Sequence, residues 1–318
     1  MLLNELLNIK YPIIQGAMAN ISDGKFAAAV SNAGGMGIIA SGGWNASRLK
    51  EEIEICKSLT DKPFGVNVML MNPDVENIIN VICEAHVALV TTGAGNPGIY
   101  VKRLKESGLK VFPVLANVAL AKRMERDGVD GLIVEGTESG GHVGEATTMT
   151  IVPAVIEAVN IPVVAAGGIA SGKQMLAALS LGACGVQVGT IMLATVECPI
   201  HQNYKDAVVK AKDSSTTVTG RSNGAPVRIL KNEMAQEYLN LENKAASRDE
   251  LEKLTLGGLR RAVVDGDMKR GSVMMGQASG IIHEIKSVEA VLKDLVVDTI
   301  KEKKMLEAKL MILEDIKC

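Results

Sequence analysis

Aromatic side chains are few in this chain: three Phe, four Tyr and one Trp in 318 residues. That suits aliphatic layers and small turns rather than a surface for stacking bases. An excess of positive charge is also lacking. The net charge is −2, which argues against a general nucleic-acid binder. No apolar run approaches the ~20 residues that a bilayer-spanning helix needs. The five cysteines, Cys56, Cys83, Cys184, Cys198 and Cys318, form no C-x-x-C pair and no metal-ligand spacing. They read as reduced thiols of a cytoplasmic protein with no metal site and no membrane partner. The first residues, Met1-Leu2-Leu3-Asn4-Glu5, lack the basic region and cleavage site of a secretory signal.

Glycine and aliphatic residues are abundant, with 32 Gly in a chain that is 47% hydrophobic. Short apolar runs recur, bounded by Gly, Pro or Asn, as buried parallel strands require. They are 12–15, 36–40, 64–69, 87–91, 110–115, 132–134, 162–165 and 185–188. Between them lie helical patterns with readable ends. Ser22 is expected to cap one that stops at Gly34-Gly35, and Pro97 to open one that stops near Gly108. Asn117 and Ser171 are expected to cap those that stop at Gly128 and Gly182. Two units look alike: Asp127-Gly128-Val129-Asp130-Gly131-Leu132 and Leu181-Gly182-Ala183-Cys184-Gly185-Val186. Strand-helix units in series predict an α/β fold, a closed (β/α)8 TIM barrel, with an open doubly wound sheet as the alternative.

After the eighth strand the chain becomes more charged. Residues 197–265, with helical stretches at 232–243 and 248–254, are expected to form an inserted helical lid subdomain. Residues 1–196 and 266–318 then make the barrel and its C-terminal helices. The tail from Ser287 to Lys317 reads as a long amphipathic helix or helix pair. Its run Lys301-Glu302-Lys303-Lys304 reads as a solvated face.

The densest chemistry follows the sixth strand, in Glu135-Gly136-Thr137-Glu138-Ser139-Gly140-Gly141-His142-Val143-Gly144. Four glycines in ten residues let a backbone bend sharply and approach a ligand closely. Histidine is suited to moving protons near neutral pH. The alternative is a surface turn with a solvated His142. The neighbouring strand ends favour a site, because a (β/α) barrel carries its chemistry at the carboxyl ends of its strands. Gly16, Ala17 and Met18 follow the first strand, and Asn67 interrupts the apolar third. Gly167-Gly168 follows the seventh strand, with Ser171-Gly172 then opening a helix, and Gly189-Thr190 follows the eighth. Paired glycines at two adjacent strand ends predict a phosphate cradle of backbone N–H groups. Gln15 and Asn67 are expected to line the floor. Gly93-Ala94-Gly95-Asn96-Pro97-Gly98 fits G-x-G-x-x-G but lacks the ribose-binding acid ~20 residues on, so it reads as a low rim. Cys198 could reach the mouth; Cys184 stands at the wrong end. A flavin mononucleotide, a sugar phosphate or a nucleotide would each suit this arrangement.

Several stretches taken together resemble a known family. They are Gln15-Gly16-Ala17-Met18, Phe64-Gly65-Val66-Asn67-Val68-Met69-Leu70, the 135–144 loop, Ala165-Ala166-Gly167-Gly168-Ile169-Ala170, Gln187-Val188-Gly189-Thr190 and Gly276-Gln277. They resemble the flavin-dependent nitronate monooxygenase and enoyl reductase superfamily. Thr91-Thr92-Gly93-Ala94-Gly95-Asn96-Pro97, Thr147-Thr148-Met149-Thr150 and Pro226-Val227-Arg228 are most similar to its type II enoyl-[acyl-carrier-protein] reductases. Asn20 departs from the aromatic residue common at that place. The resemblance implies FMN bound by Gly16, Ala17, Met18, Asn67, Glu135, Gly168, Gly189, Thr190 and Gln277. It also implies NADH or NADPH as hydride donor and a trans-2-enoyl thioester as acceptor. His142 would polarise the thioester carbonyl or assist proton delivery. A monovalent cation stimulates relatives, and they are often homodimers. The partner would be an acidic acyl carrier protein, for which Lys205, Lys210, Lys212, Arg221 and Arg228 offer a basic rim.

Overall fold

The computed structural model describes residues 1–314; Lys317 and Cys318 lie outside the described residues. The predicted strands are β1 (Ile13–Gln15), β2 (Gly37–Ala40), β3 (Phe64–Met69), β4 (Leu89–Gly93), β5 (Lys110–Leu115) and β6 (Leu132–Glu135). Then come β7 (Gly141–His142), which lies outside the main sheet, β8 (Val163–Ala166) and β9 (Gly185–Val188). All but β7 pair in parallel in the order β1-β9-β8-β6-β5-β4-β3-β2. A parallel bridge between Ile14 and Met36 joins the two ends, so the sheet closes into a (β/α)8 barrel. β4 starts later than its apolar run, because His86 ends the preceding helix in a left-handed turn at φ 50.

Closure explains Gln15, which is fully buried. Its Nε2 donates to Ser22 Oγ at 2.8 Å and its Oε1 accepts from the Ile38 N–H at 3.0 Å. The amide therefore ties the first strand to the second where the ladder is thin. It is not free to line a ligand floor, as the sequence had suggested. Ser22 is engaged in the same tie and also accepts from the Met18 N–H. Asp23 caps the helix Gly24–Asn32 in its place, accepting from the Phe26 N–H at 2.8 Å. Asn117 and Ser171 cap the helices Val118–Arg126 and Gly172–Ser180 as expected.

Side chains alternate across a strand, and here one set faces the barrel axis and the other faces the helices. Ile14, Ile38, Leu89, Phe112, Ile133 and Val164 form an inner apolar plug with Leu3 and Leu7 of the short N-terminal helix. Ile13, Ile39, Val90, Val111, Leu132, Val163 and Val186 belong to the outer cluster beneath the helices. One layer further toward the carboxyl ends, the inward positions are Gly16, Ala40, Asn67, Thr91, Val114, Glu135, Ala166 and Gln187, so polar Asn67, Thr91, Glu135 and Gln187 alternate with small or apolar residues. A dry plug thus ends under a polar layer, and that layer floors the mouth.

The chain beyond β9 is mostly helical but carries a hairpin as well, β10 (Thr216–Thr219) and β11 (Val227–Leu230). β11 pairs antiparallel with β7, so the chain beyond β9 reaches back to the loop after β6. A 27-residue helix, Val288–Glu314, packs on the helix Gly172–Ser180. Among the described residues, no helix is long and apolar enough to cross a membrane.

Candidate active site

The polar layer is set by strand register. Asn67 stands opposite Thr91 in the β3–β4 ladder, and its Nδ2 donates to Thr91 Oγ1 at 2.9 Å. Glu135, the last residue of β6, has a narrow contact with solvent but is otherwise surrounded by protein. That desolvation pushes its carboxyl up to about 7. An ordinary Glu in the unfolded chain titrates near 4.5. The folded state therefore holds a proton that the unfolded chain has released. The stability this group contributes is complete below about pH 4.5 and is lost as pH rises to about 7. In urea unfolding of the apoprotein, the wild type should lose on the order of 3 kcal/mol relative to Glu135→Gln between about pH 4.5 and 8. Parallel pH curves would mean an ordinary carboxyl.

The expected phosphate seat lies at the ends of β8 and β9. Gly167 and Gly168 turn with φ of +91 and +76, a left-handed path that brings the chain close to its neighbours. The backbone N–H groups of Gly168, Gly189 and Thr190 donate to no protein acceptor among the described residues. A side chain at Gly189 would meet no atom within 4 Å, so its surroundings are open. Gly16 lies against this end, its N–H donating to the Val188 carbonyl at 2.8 Å. Ala17 and Met18 follow it, and Asn20 turns with φ 60, a conformation Asn accommodates better than an aromatic residue.

Three chain segments meet at this seat. A Cβ on Gly168 would lie 3.2 Å from Glu138 Cβ. The Glu138 carbonyl accepts from the Gln277 N–H at 2.9 Å, and the Gly276 N–H donates to Thr190 Oγ1 at 2.9 Å. The Glu138 carboxylate accepts from the Thr148 N–H and from Thr148 Oγ1, each at 3.0 Å, at the start of the helix Thr148–Ile156. A cavity of about 280 Å³ opens here; Glu138, Thr148, Gln174 and Gln277 lie on a wall that is otherwise mostly apolar, with Met149, Ile169, Leu181 and Ile281.

His142 reaches the same side of the molecule by the 135–144 loop. Gly140 lies backbone to backbone against Met275 and Gly276, where an added Cβ would come within 2.6 Å of Met275. Two residues on, His142 is exposed on β7. The structure thus places Gly168 and Gln277 against the loop that carries His142, and Thr190 reaches that loop through Gly276. Gly16 and Gly189 sit at the adjoining strand ends, and Asn67 and Glu135 lie in the layer beneath. Thr91, Gln187, Glu138 and Thr148, which the sequence offered only within longer stretches, join them. An alternation argument from Asn67 and Glu135 points to Thr91 and Gln187 once the strand register is known.

Other expectations need correction. Lys205 is buried, its Nζ donating to the Val196 carbonyl at 3.0 Å, and Arg228 is buried too. Neither can present charge to a protein partner; Lys210, Lys212 and Arg221 remain exposed. Cys198 is buried, and desolvation pushes its thiol up to about 12, so it is no nucleophile at the mouth. Gly95 belongs to the rim: an added Cβ there would come 2.7 Å from Leu70 Cβ, so it lets two adjacent loops touch.

A phosphorylated flavin fits these features. Free N–H groups at adjacent strand ends suit its phosphate, and the polar layer suits the edge of its ring. Thr137 Oγ1 and Ser279 Oγ are buried without a hydrogen-bond partner among the described residues, whereas Ser139 Oγ faces the Glu135 carboxyl. A buried polar atom left without a partner costs ~1–3 kcal/mol, so the Thr137 and Ser279 hydroxyls favour a polar occupant nearby.

Comparison with known proteins narrows the chemistry. A nitronate monooxygenase family model matches residues 1–80 and 73–298. The solved structure of FabK from Thermotoga maritima is similar, with a TM-score of 0.94 and 45% identity over 96% of this chain and 98% of that one. A Staphylococcus aureus (strain MRSA252) protein named "Probable nitronate monooxygenase" is 31% identical over 87% of this chain and 91% of its own. A Rhodococcus jostii (strain RHA1) protein is 29% identical over 94% of this chain and 95% of its own. It is named "(3aS,4S,5R,7aS)-5-hydroxy-7a-methyl-1-oxo-octahydro-1H-indene-4-carboxyl-CoA dehydrogenase".

Proposed function

The chain belongs to the nitronate monooxygenase family of flavin oxidoreductases, and we propose that within it this protein is an FMN-dependent enoyl-[acyl-carrier-protein] reductase. It would reduce trans-2-enoyl thioesters at the expense of NADH or NADPH. The observation that carries this reading is the 45% identity to FabK over nearly the whole chain, which falls in the enoyl-reductase branch that the motifs resemble.

Bound at the mouth, FMN supplies two-electron hydride chemistry between a nicotinamide dinucleotide and the substrate carbon. The chain's own residues do the rest. The N–H groups of Gly168, Gly189 and Thr190 hold the phosphate. Gly16, Ala17, Met18, Asn67, Glu135 and Gln277 would hold the ring. His142 donates a hydrogen bond or a proton to the thioester as charge builds on its carbonyl oxygen. The acyl group arrives on acyl carrier protein, and Lys210, Lys212 and Arg221 are the exposed cations left to receive it. A homodimer and a bound monovalent cation remain part of this reading.

The family match and the Staphylococcus aureus relative favour a second reading, oxidation of alkyl nitronates at the same site. There His142 would take a proton from the carbon beside the nitro group. An anaerobic titration separates the two. NADH should bleach the flavin band, and crotonyl thioester should restore it with one equivalent of product. A protein that consumes oxygen with alkyl nitronates and leaves crotonyl thioester untouched is a nitronate monooxygenase.

A further inference from the structure

His142 sits on a strand of two residues, too short to define its own position. Its position comes from β11, where Val227 stands opposite His142 and Arg228 opposite Gly141. The Val143 N–H also donates to the Pro226 carbonyl at 3.1 Å, so the backbone on both sides of His142 is held by the insertion. Alternation along the ribbon puts His142 and Val227 on one face and Arg228 on the other. His142 is exposed, whereas Arg228 is only 7% exposed.

The Arg228 side chain then turns back to the start of the same loop. Its Nε and Nη2 both donate to the Thr137 carbonyl, at 3.1 and 3.0 Å, and its Nη1 donates to Thr216 Oγ1 at 3.2 Å. No ion pair within 4.0 Å joins it to a carboxylate among the described residues. A buried cation held only by neutral acceptors is costly. Desolvation and the nearby charge of Arg221 lower its pKa, and the charge of Glu138 offsets this only in part. An apolar side chain would fill the space more cheaply, but it could not grip the carbonyl.

We propose that Arg228 is a positioning residue for His142. Its backbone fixes Gly141 and its planar fork fixes Thr137, so one residue sets the span of the loop between them. The loop neck is closed independently by the Thr137 N–H donating to the Ala146 carbonyl at 2.8 Å. Arg228 therefore governs where the loop points rather than whether it exists. A lysine in its place keeps the charge but offers a flexible point donor instead of a fork. The inference rests on His142 being the proton-handling group of the proposed reaction.

The test uses FMN-loaded Arg228→Lys and Arg228→Met, each alone and combined with His142→Ala. Arg228→Lys should leave the FMN Kd and the rate of flavin bleaching by NADH within about twofold. It should lower kcat for crotonyl thioester about five- to tenfold, with KM within about twofold. In the His142→Ala background it should cost almost nothing more, because a residue that acts only through His142 has nothing left to position. Amide hydrogen exchange in 137–143 should quicken several-fold. An unchanged kcat, or the same loss in the His142→Ala background, overturns the proposal. If Arg228→Met does not fold, the lysine variant decides. If the wild type does not reduce crotonyl thioester, the functional reading has failed instead. Exchange at 137–143 then still decides the loop's dependence on Arg228, and unchanged exchange rejects it.

Discussion

His142→Ala should keep its flavin and lose its reaction. Main-chain N–H groups at β8 and β9 are proposed to hold the phosphate, and removing an imidazole from β7 leaves them intact. The FMN Kd should therefore stay within about twofold, and NADH should bleach the flavin at nearly the wild-type rate. Reduction of crotonyl thioester should fall at least tenfold, and general acid help of the usual size would make the loss ~10²–10⁴. His142 is exposed, so its removal opens no cavity in the core and the fold should be little affected. Stopped-flow measurement of the two half-reactions separates the steps. His142→Gln refines the result: partial activity would mean that a hydrogen bond to the carbonyl suffices, and none would mean that the proton itself is needed. Wild-type turnover in both variants would remove His142 from the mechanism.

The barrel was legible because its signals are local. A buried parallel strand is an uninterrupted apolar run, and an oxygen-bearing cap or a glycine stop acts within a few residues. Lys110–Leu115 and Gly185–Val188 run between the ends expected of them. One error arose where two side-chain oxygens competed to cap one helix. Ser22 and Asp23 can both cap a helix, and only the barrel closure at Gln15 takes Ser22 out of the contest. The hairpin β10–β11 was missed for a related reason. Its strands are short and partly polar, and part of their pairing is with the distant Gly141–His142.

The candidate site is legible in the sequence as a set of strand ends and illegible as a set of contacts. Asn67 and Glu135 stand out as polar groups at the ends of apolar runs. Thr91 does not, because a threonine suits a strand. It joins the site only through register, opposite Asn67. Arg228 was misread for a physical reason. An arginine in a charged segment is nearly always solvated, and nothing nearby in the sequence reveals that its fork meets the Thr137 carbonyl, 91 residues away. Lys205 is the same case, its ammonium donating to the Val196 carbonyl.

Gly189→Ala should cost the protein its flavin while leaving the apoprotein almost untouched. Gly189 has φ −117, which alanine adopts without strain, and an added Cβ would meet no protein atom within 4 Å. The change in apoprotein Tm should stay within about 2 °C. The methyl group enters the space proposed for the phosphate, next to the Gly189 and Thr190 N–H groups. Displacing one charge-assisted hydrogen bond costs ~1.5–3 kcal/mol, so the FMN Kd should rise about 10- to 100-fold. Riboflavin, which lacks the phosphate, should bind both proteins alike. Gly140→Ala is the contrasting case, because its Cβ would come 2.6 and 2.7 Å from backbone atoms of Met275 and Gly276. That variant should lower the apoprotein Tm itself, since a backbone segment tied to Thr190 has to move. Fluorescence titration of FMN into both apoproteins distinguishes a collision with ligand from a collision within the fold. If Gly189→Ala binds FMN as tightly as the wild type, the phosphate lies elsewhere and the assignment of β9 to the anion seat falls with it.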